Sequence, residues 1–237
     1  MEKKKVIIVG YAYSKKEVEW DNKESEIWIM NDMYNTVPRF DRLFEIHSDK
    51  HIVDYSARKT GRNHLEDLKK IGHKIYMQNR WKDIPMSVKY PLEEITKEFY
   101  INEAMGDKLF MTCTVTYMLA LAIYEKFEEI SLYGIDLSVD GEYKDEMPGA
   151  VYWLGLAAGR GIKLKISSHS PLLKCFHMYG YEQEKKQQFN AFLDTEIQRI
   201  EEIKQTAIKN QEYYFAEENK CIGAEVMMNH IKKITNI

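Results

Sequence analysis

The sequence predicts an α/β fold, a Rossmann-like and mostly parallel sheet flanked by helices, with a C-terminal helical extension. Three observations predict it. Short apolar runs alternate with amphipathic stretches as far as about residue 180. The runs are short and mostly apolar, as strands covered on both faces should be. After Tyr181 the texture changes to a long polar tract rich in Gln, Glu and Lys. The expected division is residues 1–181 as a nucleotide-binding domain and residues 182–237 as the extension.

The expected strands are Val6–Val9, Ile27–Met30, Arg42–Ile46, Lys74–Met77, Ile130–Tyr133 and Ile162–Ile166. Val115–Phe127 is nearly all apolar, which predicts a buried helix. Gly149–Gly161 reads as another, closed by Gly159-Arg160-Gly161. Alternating β and α units imply parallel strands joined by crossovers. Gln183 to about Asn219 contains no Gly or Pro, and Phe189, Phe192, Leu193, Ile197, Ile200 and Ile203 mark one helical face. A second helix is expected from Ile222 to Ile234, after Gly223. The pair reads either as helix packed across the domain or as a homo-oligomerisation hairpin through residues 183–237.

The 237 residues carry a net charge of −3, which is no basic signature for a nucleic-acid partner. Cys113, Cys175 and Cys221 are widely spaced and form no C-x-x-C pair, so neither a zinc site nor a disulfide framework is indicated. A reducing, cytoplasmic setting is expected. Met1-Glu2-Lys3-Lys4-Lys5 runs straight into a strand, which predicts no signal peptide, and no apolar run approaches a membrane span.

In an open parallel sheet, ligands bind outside the carboxyl ends of the strands. The residues following each strand are therefore the candidates. Gly10 follows the first strand, and a glycine there lets backbone approach a phosphate or simply makes the turn. Ser14 can cap the helix that follows. Asn31 and Asp32 follow the second strand and suit a base or ribose, or an ordinary turn. Glu45 and His47 lie two apart on the third strand, hence on one face. A carboxylate beside an imidazole raises its basicity, as proton transfer requires. His169, between Ser168 and Ser170 after the last strand, is the second candidate base. His51, His64, His73, His177 and His230 have no such sequence neighbours.

Thr112, Cys113 and Thr114 precede the buried helix, where hydroxyls cap the helix or hold a phosphate. Gly134 and Asp136 close the strand Ile130–Tyr133. The acidic run Asp136, Asp140, Glu142, Asp145, Glu146 lacks the ligand spacing of an EF-hand and reads as a solvated loop.

The stretch Phe110-Met111-Thr112-Cys113-Thr114-Val115-Thr116-Tyr117-Met118, with Ala120 to Ile123 and Glu129-Ile130-Ser131-Leu132-Tyr133-Gly134-Ile135-Asp136, resembles the core of bacterial sialyltransferases of the campylobacter type. It also resembles the related domain of archaeal-type 6-hydroxymethylpterin diphosphokinases and their uncharacterised relatives, many of them in phages. The resemblance spans about residues 5–180 and is most specific over 110–136. It implies that Gly10, Ser14, Asn31, Thr112, Thr114 and Gly134 surround a nucleotide, with Asp32, Asp136 and Ser170 at the same strand ends as further nucleotide-binding candidates. It implies a glycosyltransferase-like transferase whose substrate is a nucleotide-activated donor and which requires no further cofactor. The transferases carry a catalytic histidine after the Gly-Ile-Asp strand, where this chain has Glu142-Tyr143-Lys144-Asp145-Glu146. The acid-base group is therefore expected among His47, Glu45 and His169. Two other readings stay open: a magnesium-dependent pyrophosphokinase, and a non-enzymatic nucleotide-binding or sequestering protein.

Overall fold

Seven strands, β1 (Lys5–Val9), β2 (Ser25–Met30), β3 (Arg42–Glu45), β4 (Lys74–Met77), β5 (Ser87–Lys89), β6 (Glu129–Tyr133) and β7 (Lys163–Ile166), form one sheet. Every pairing is parallel, and the order is β5-β4-β3-β2-β1-β6-β7. The structure is a computed structural model that describes residues 4–57, 63–99, 110–138, 142–174 and 185–235. The chain divides into two units, Met1–Leu173 and Lys174–Ile237. The expected boundary at 181/182 lies outside the described residues.

The six expected strands are all present, as the α/β reading requires. β5 is additional: Ser87-Val88-Lys89 is too short to show a period, and it forms because Ile75 N–H reaches Met86 O at 2.9 Å and Tyr90 N–H reaches Met77 O at 2.8 Å. β7 is an edge strand with exposed Lys163 and Lys165, both bridged to Glu129 at 3.2 and 2.6 Å. Lysines on an edge discourage pairing with another sheet. The chain walks outward from β1 to β5 and then returns to place β6 on the other side of β1, so the direction of travel reverses between β1 and β6.

The sheet's centre is apolar because both faces are covered. Val6, Ile8, Ile27, Trp28, Ile29, Leu43, Phe44, Ile75 and Ile130 are fully buried. Trp28 packs at 5.2 Å from both Phe44 and Phe127. Arg42 crosses this cluster, with its guanidinium 4.6 Å over Trp28, its Nε 2.7 Å from Glu26 and a terminal nitrogen 2.8 Å from Glu125. Helices α1 (Asp49–Ala57) and α2 (His64–Leu68) lie between β3 and β4, and α3 (Leu92–Phe99) follows β5. Helix α4 (Thr114–Tyr124) packs against β1, β2 and β3 and against α3 and α5 (Met147–Gly159). It ends three residues short of the expected Phe127. Lys126 takes a left-handed φ of 60°, and Phe127 N–H bonds Ala122 O while Lys126 N–H bonds Ile123 O. That pair of bonds is the stop that α5 also uses, there with Gly161 at φ 78°.

In the second unit, α6 (Lys185–Thr235) is one unbroken helix of 51 residues. It replaces the two helices expected around Gly223, so no hairpin turn forms there. A single glycine costs a helix only about 1 kcal/mol, and the good helix formers on either side carry the helix through it. No helix among the described residues is long and apolar enough to cross a membrane.

Beyond the ends of β1 and β6 the two loops continue to pair. Gly10 N–H bonds Tyr133 O and Ala12 N–H bonds Gly134 O, each at 2.8 Å. A β-carbon on Gly10 would stand 2.3 Å from Gly134 O, and one on Gly134 would stand 2.3 Å from Gly10 O. Gly134 also has a φ of 67°. The expected outcome of Gly134→Ala is a loss of about 2–4 kcal/mol in denaturant unfolding, from overlap plus backbone strain. Gly72→Ala, where a β-carbon meets nothing within 4 Å, serves as the control and stays within about 0.5 kcal/mol.

Candidate active site

A cavity of about 220 Å³ opens at the carboxyl ends of β1, β2 and β3, lined by Tyr11, Asn31, Asp32, Glu45, His47, His51, Ile52 and His64. Each side chain is placed by a local device. Tyr11 follows Gly10 in the stitched loop, and its hydroxyl donates to Asp32 Oδ1. Asn31 ends β2 with its N–H on Phe44 O at 2.9 Å and a φ of 53°, a left-handed conformation that asparagine tolerates. Its Oδ1 is buried and has no hydrogen-bond partner among the described residues. His51 and Ile52 ride on α1, whose first turn is capped by Ser48: His51 N–H reaches Ser48 Oγ at 3.2 Å. Trp81 Nε1 donates to Asp49 at 3.1 Å and ties the same turn to the β4 end. Asn63 caps α2 by accepting from Glu66 N–H, which sets His64 at the start of that helix.

Glu45 lies at the centre and is only 2% exposed. Its Oε1 bonds His47 Nδ1 and its Oε2 bonds His64 Nε2 at 2.9 Å. His64 Nδ1 is 2.7 Å from the Tyr34 hydroxyl. Burial alone would raise the Glu45 pKa, but the bonds from the two imidazoles outweigh it and hold the carboxyl at about 2. The hydrogen bond to Glu45 raises His47 above its ordinary value, against some opposing burial. His47 also stacks on His51 at 4.4 Å between ring centres, and its side chain is 40% exposed. The result is an exposed imidazole backed by a buried carboxylate, the geometry of a general base whose proton is stabilised once taken.

The other candidates lie elsewhere. His169 Nδ1 bonds Glu17 at 2.8 Å, and Ser167 Oγ donates to the same Glu17 oxygen. His169 thus belongs to a cluster at the β7 end and does not line the Glu45 cavity. Ser14 is buried and accepts from Gly134 N–H at 2.7 Å rather than capping a helix. Ser170 is buried and donates to Ile135 O at 2.7 Å. Thr112 donates to Glu146 O at 2.9 Å. Thr114 opens α4, whose cap is Cys113, with the Thr116 hydroxyl donating to Cys113 O at 2.6 Å. Burial pushes the Cys113 thiol up to about 11, so it is held as a thiol. Asp136 follows Gly134 and is half-buried, while Asp140 and His177 lie outside the described residues. Among the described residues no three His, Cys, Asp or Glu side chains are grouped to hold a metal ion.

Of the sequence candidates, Asn31, Asp32, Glu45 and His47 come together here. His51, His64 and Tyr11 join them without having been singled out. The signal for His64 was its neighbour: an asparagine directly before it, in capping position, marks a helix start near the strand ends.

No family model matches the chain, and no curated protein matches it. Among solved structures, the sialyltransferase CstII from Campylobacter jejuni in complex with the substrate analogue CMP-3FNeuAc is 19% identical, over 69% of this chain and 79% of that chain, with a TM-score of 0.45. The sialyltransferase CST-II in complex with trisaccharide acceptor and CMP is 19% identical, over 69% and 80%, with a TM-score of 0.45. An alpha-2,3-sialyltransferase from Campylobacter jejuni in apo form is 16% identical, over 69% and 75%, with a TM-score of 0.41.

The two opposite pKa shifts set a pH window. Glu45 is depressed, so its contribution to stability is present above about 4.5 and is lost as pH falls toward 2. His47 is raised, so its contribution is present below about 6.5 and is lost as pH rises through its folded value. The stability gap between the wild type and His47→Gln, measured by denaturant unfolding from pH 3 to 9, is expected to be widest between about 4.5 and 6.5 and to narrow on both sides.

Proposed function

We propose that this chain is a transferase that uses a nucleotide-activated donor, most simply a glycosyltransferase-like enzyme, with His47 as its base. The observation that carries the reading is the His47–Glu45 pair in a cavity at the carboxyl ends of parallel strands. The resemblance of residues 110–136 to sialyltransferases points the same way. In the proposed step His47 Nε2 takes the proton of an acceptor hydroxyl, and Glu45 stabilises the imidazolium. The acceptor oxygen bonds the sugar carbon as that carbon's bond to phosphate oxygen breaks, and the nucleotide leaves with the phosphate. Binding both partners in line supplies much of the rate.

The polar wall suits a nucleotide. Asp32 offers a carboxylate to hydroxyl donors, and the buried Asn31 Oδ1 accepts a hydrogen bond from a base amine or a sugar hydroxyl. Asn31→Gly removes the amide while keeping a residue that adopts positive φ. It is expected to weaken binding of the tightest of CMP, UMP, GMP and AMP about three- to tenfold by calorimetry, with the unfolding midpoint little changed.

The main test is turnover across nucleotide-sugar donors. Product is expected from at least one donor, and His47→Gln is expected to lower kcat about 10²–10⁴-fold with donor affinity retained. Because His47 is raised, the acid limb of kcat/KM lies above pH 6.5, and Glu45→Gln moves it to lower pH. No turnover with any donor, alongside clean nucleotide binding, overturns the reading in favour of a sequestering protein. Strict magnesium dependence, lost on changing Asp136, turns it toward pyrophosphoryl transfer.

A further inference from the structure

We propose that His64 is a positioning residue of this site: through Glu45 it fixes which nitrogen of His47 carries the proton, and Tyr34 in turn fixes His64. The inference rests on His47 being the base, and it adds two residues, His64 and Tyr34, that act through Glu45 rather than on the reacting atoms.

The polarity of the whole chain of bonds follows from Glu45, which as a carboxylate only accepts and so takes a proton from a nitrogen of each imidazole. At the far end the Tyr34 phenol, pushed up by burial and then by the nearby Asp67 carboxylate, carries a proton to donate. The atom that receives it is His64 Nδ1, 2.7 Å away, and the two rings also lie face to face at 5.6 Å. With Nδ1 as acceptor, a neutral His64 carries its proton on Nε2 and donates it to Glu45 Oε2 at 2.9 Å. Glu45, held ionised, only accepts. Its second oxygen therefore takes its bond from His47 Nδ1, which must be the protonated nitrogen. The lone pair of neutral His47 is then on Nε2, where no hydrogen bond forms among the described residues.

His64 matters because Glu45 is buried. A carboxylate with 2% exposure has no solvent to satisfy an oxygen that loses its donor. Without His64, Glu45 turns or protonates, and either outcome releases His47 Nδ1. An imidazole so released exchanges its proton between both nitrogens and presents a base only part of the time. His64 is itself 5% exposed and sits at the start of α2, whose Asn63 cap places it. Three elements thus hold one tautomer: β3 through Glu45, α2 through His64, and the short 3-10 turn Met33–Asn35 through Tyr34.

The test reads the tautomer directly, on the full ¹⁵N-labelled chain, by two-bond proton–nitrogen correlation at a pH above the His47 titration. The wild type is expected to show His47 with its proton on Nδ1. His64→Leu is expected to give a mixture of the two forms, and kcat with the active donor falls about tenfold or more. His64→Gln is expected to restore the Nδ1 form, since its amide N–H stands where Nε2–H stood. His47 remaining wholly Nδ1-protonated in His64→Leu overturns the proposal. If that variant does not fold, Tyr34→Phe decides, because it leaves Glu45 and His47 untouched. A shift of the His64 proton toward Nδ1 supports the relay, and unchanged His64 and His47 signals overturn it. Full turnover by His47→Gln sinks the base reading separately, while the tautomer measurement still decides the relay.

Discussion

The carbonyl oxygen of Gly134 occupies the place where a β-carbon on Gly10 would stand, and the reverse contact is as close. Two backbones can meet this way only where neither carries a side chain. The contact falls at the reversal of strand order between β1 and β6, the crevice where open parallel sheets usually take their ligands. Ser14 bonds Gly134 N–H and Ser170 bonds Ile135 O, both within the protein. Among the described residues a cavity lies along the ends of β1, β2 and β3.

The position of that cavity sets the end of β3 at its wall. The last residue of β3 is a buried carboxylate, which on its own would be strongly disfavoured. Glu45 is ionised because two imidazoles meet it, one from the loop after β3 and one from α2. The same bonds that stabilise the carboxylate hold His47 basic and oriented. Stability at this site and the proposed reactivity share one set of hydrogen bonds.

The sheet was legible because a parallel sheet writes each covered strand as an apolar run, and Val6–Val9 or Ile130–Tyr133 admit little else. β5 was not, since three residues held by backbone bonds to Met86 and Met77 carry no period. The unbroken α6 was missed because Gly223 reads locally as a stop, whereas the helix formers around it outweigh one glycine. At the site, Glu45 and His47 were legible as a pair because two residues at a strand end are close in sequence, although β3 stops at Glu45 and His47 lies in the loop beyond it. His64 was not, since its link to Glu45 spans 19 residues of sequence and exists only once α2 packs against the β3 end. Gly10 and Ser14 were visible as special residues, but a residue that admits a phosphate and one that admits a neighbouring backbone look alike in one dimension.

The two features meet at Tyr11. It lies between Gly10, bonded to Tyr133 O, and Ala12, bonded to Gly134 O, so its backbone is pinned on both sides by the stitched loops. From there its ring crosses to the β2 end, where the hydroxyl bonds Asp32. One wall of the cavity is thereby fixed to the sheet by backbone hydrogen bonds, and the opposite wall is fixed by the Tyr34–His64–Glu45 chain. In the proposed reading, a base set between two such walls is oriented by the fold's own hydrogen bonds, so substrate binding need not supply that ordering.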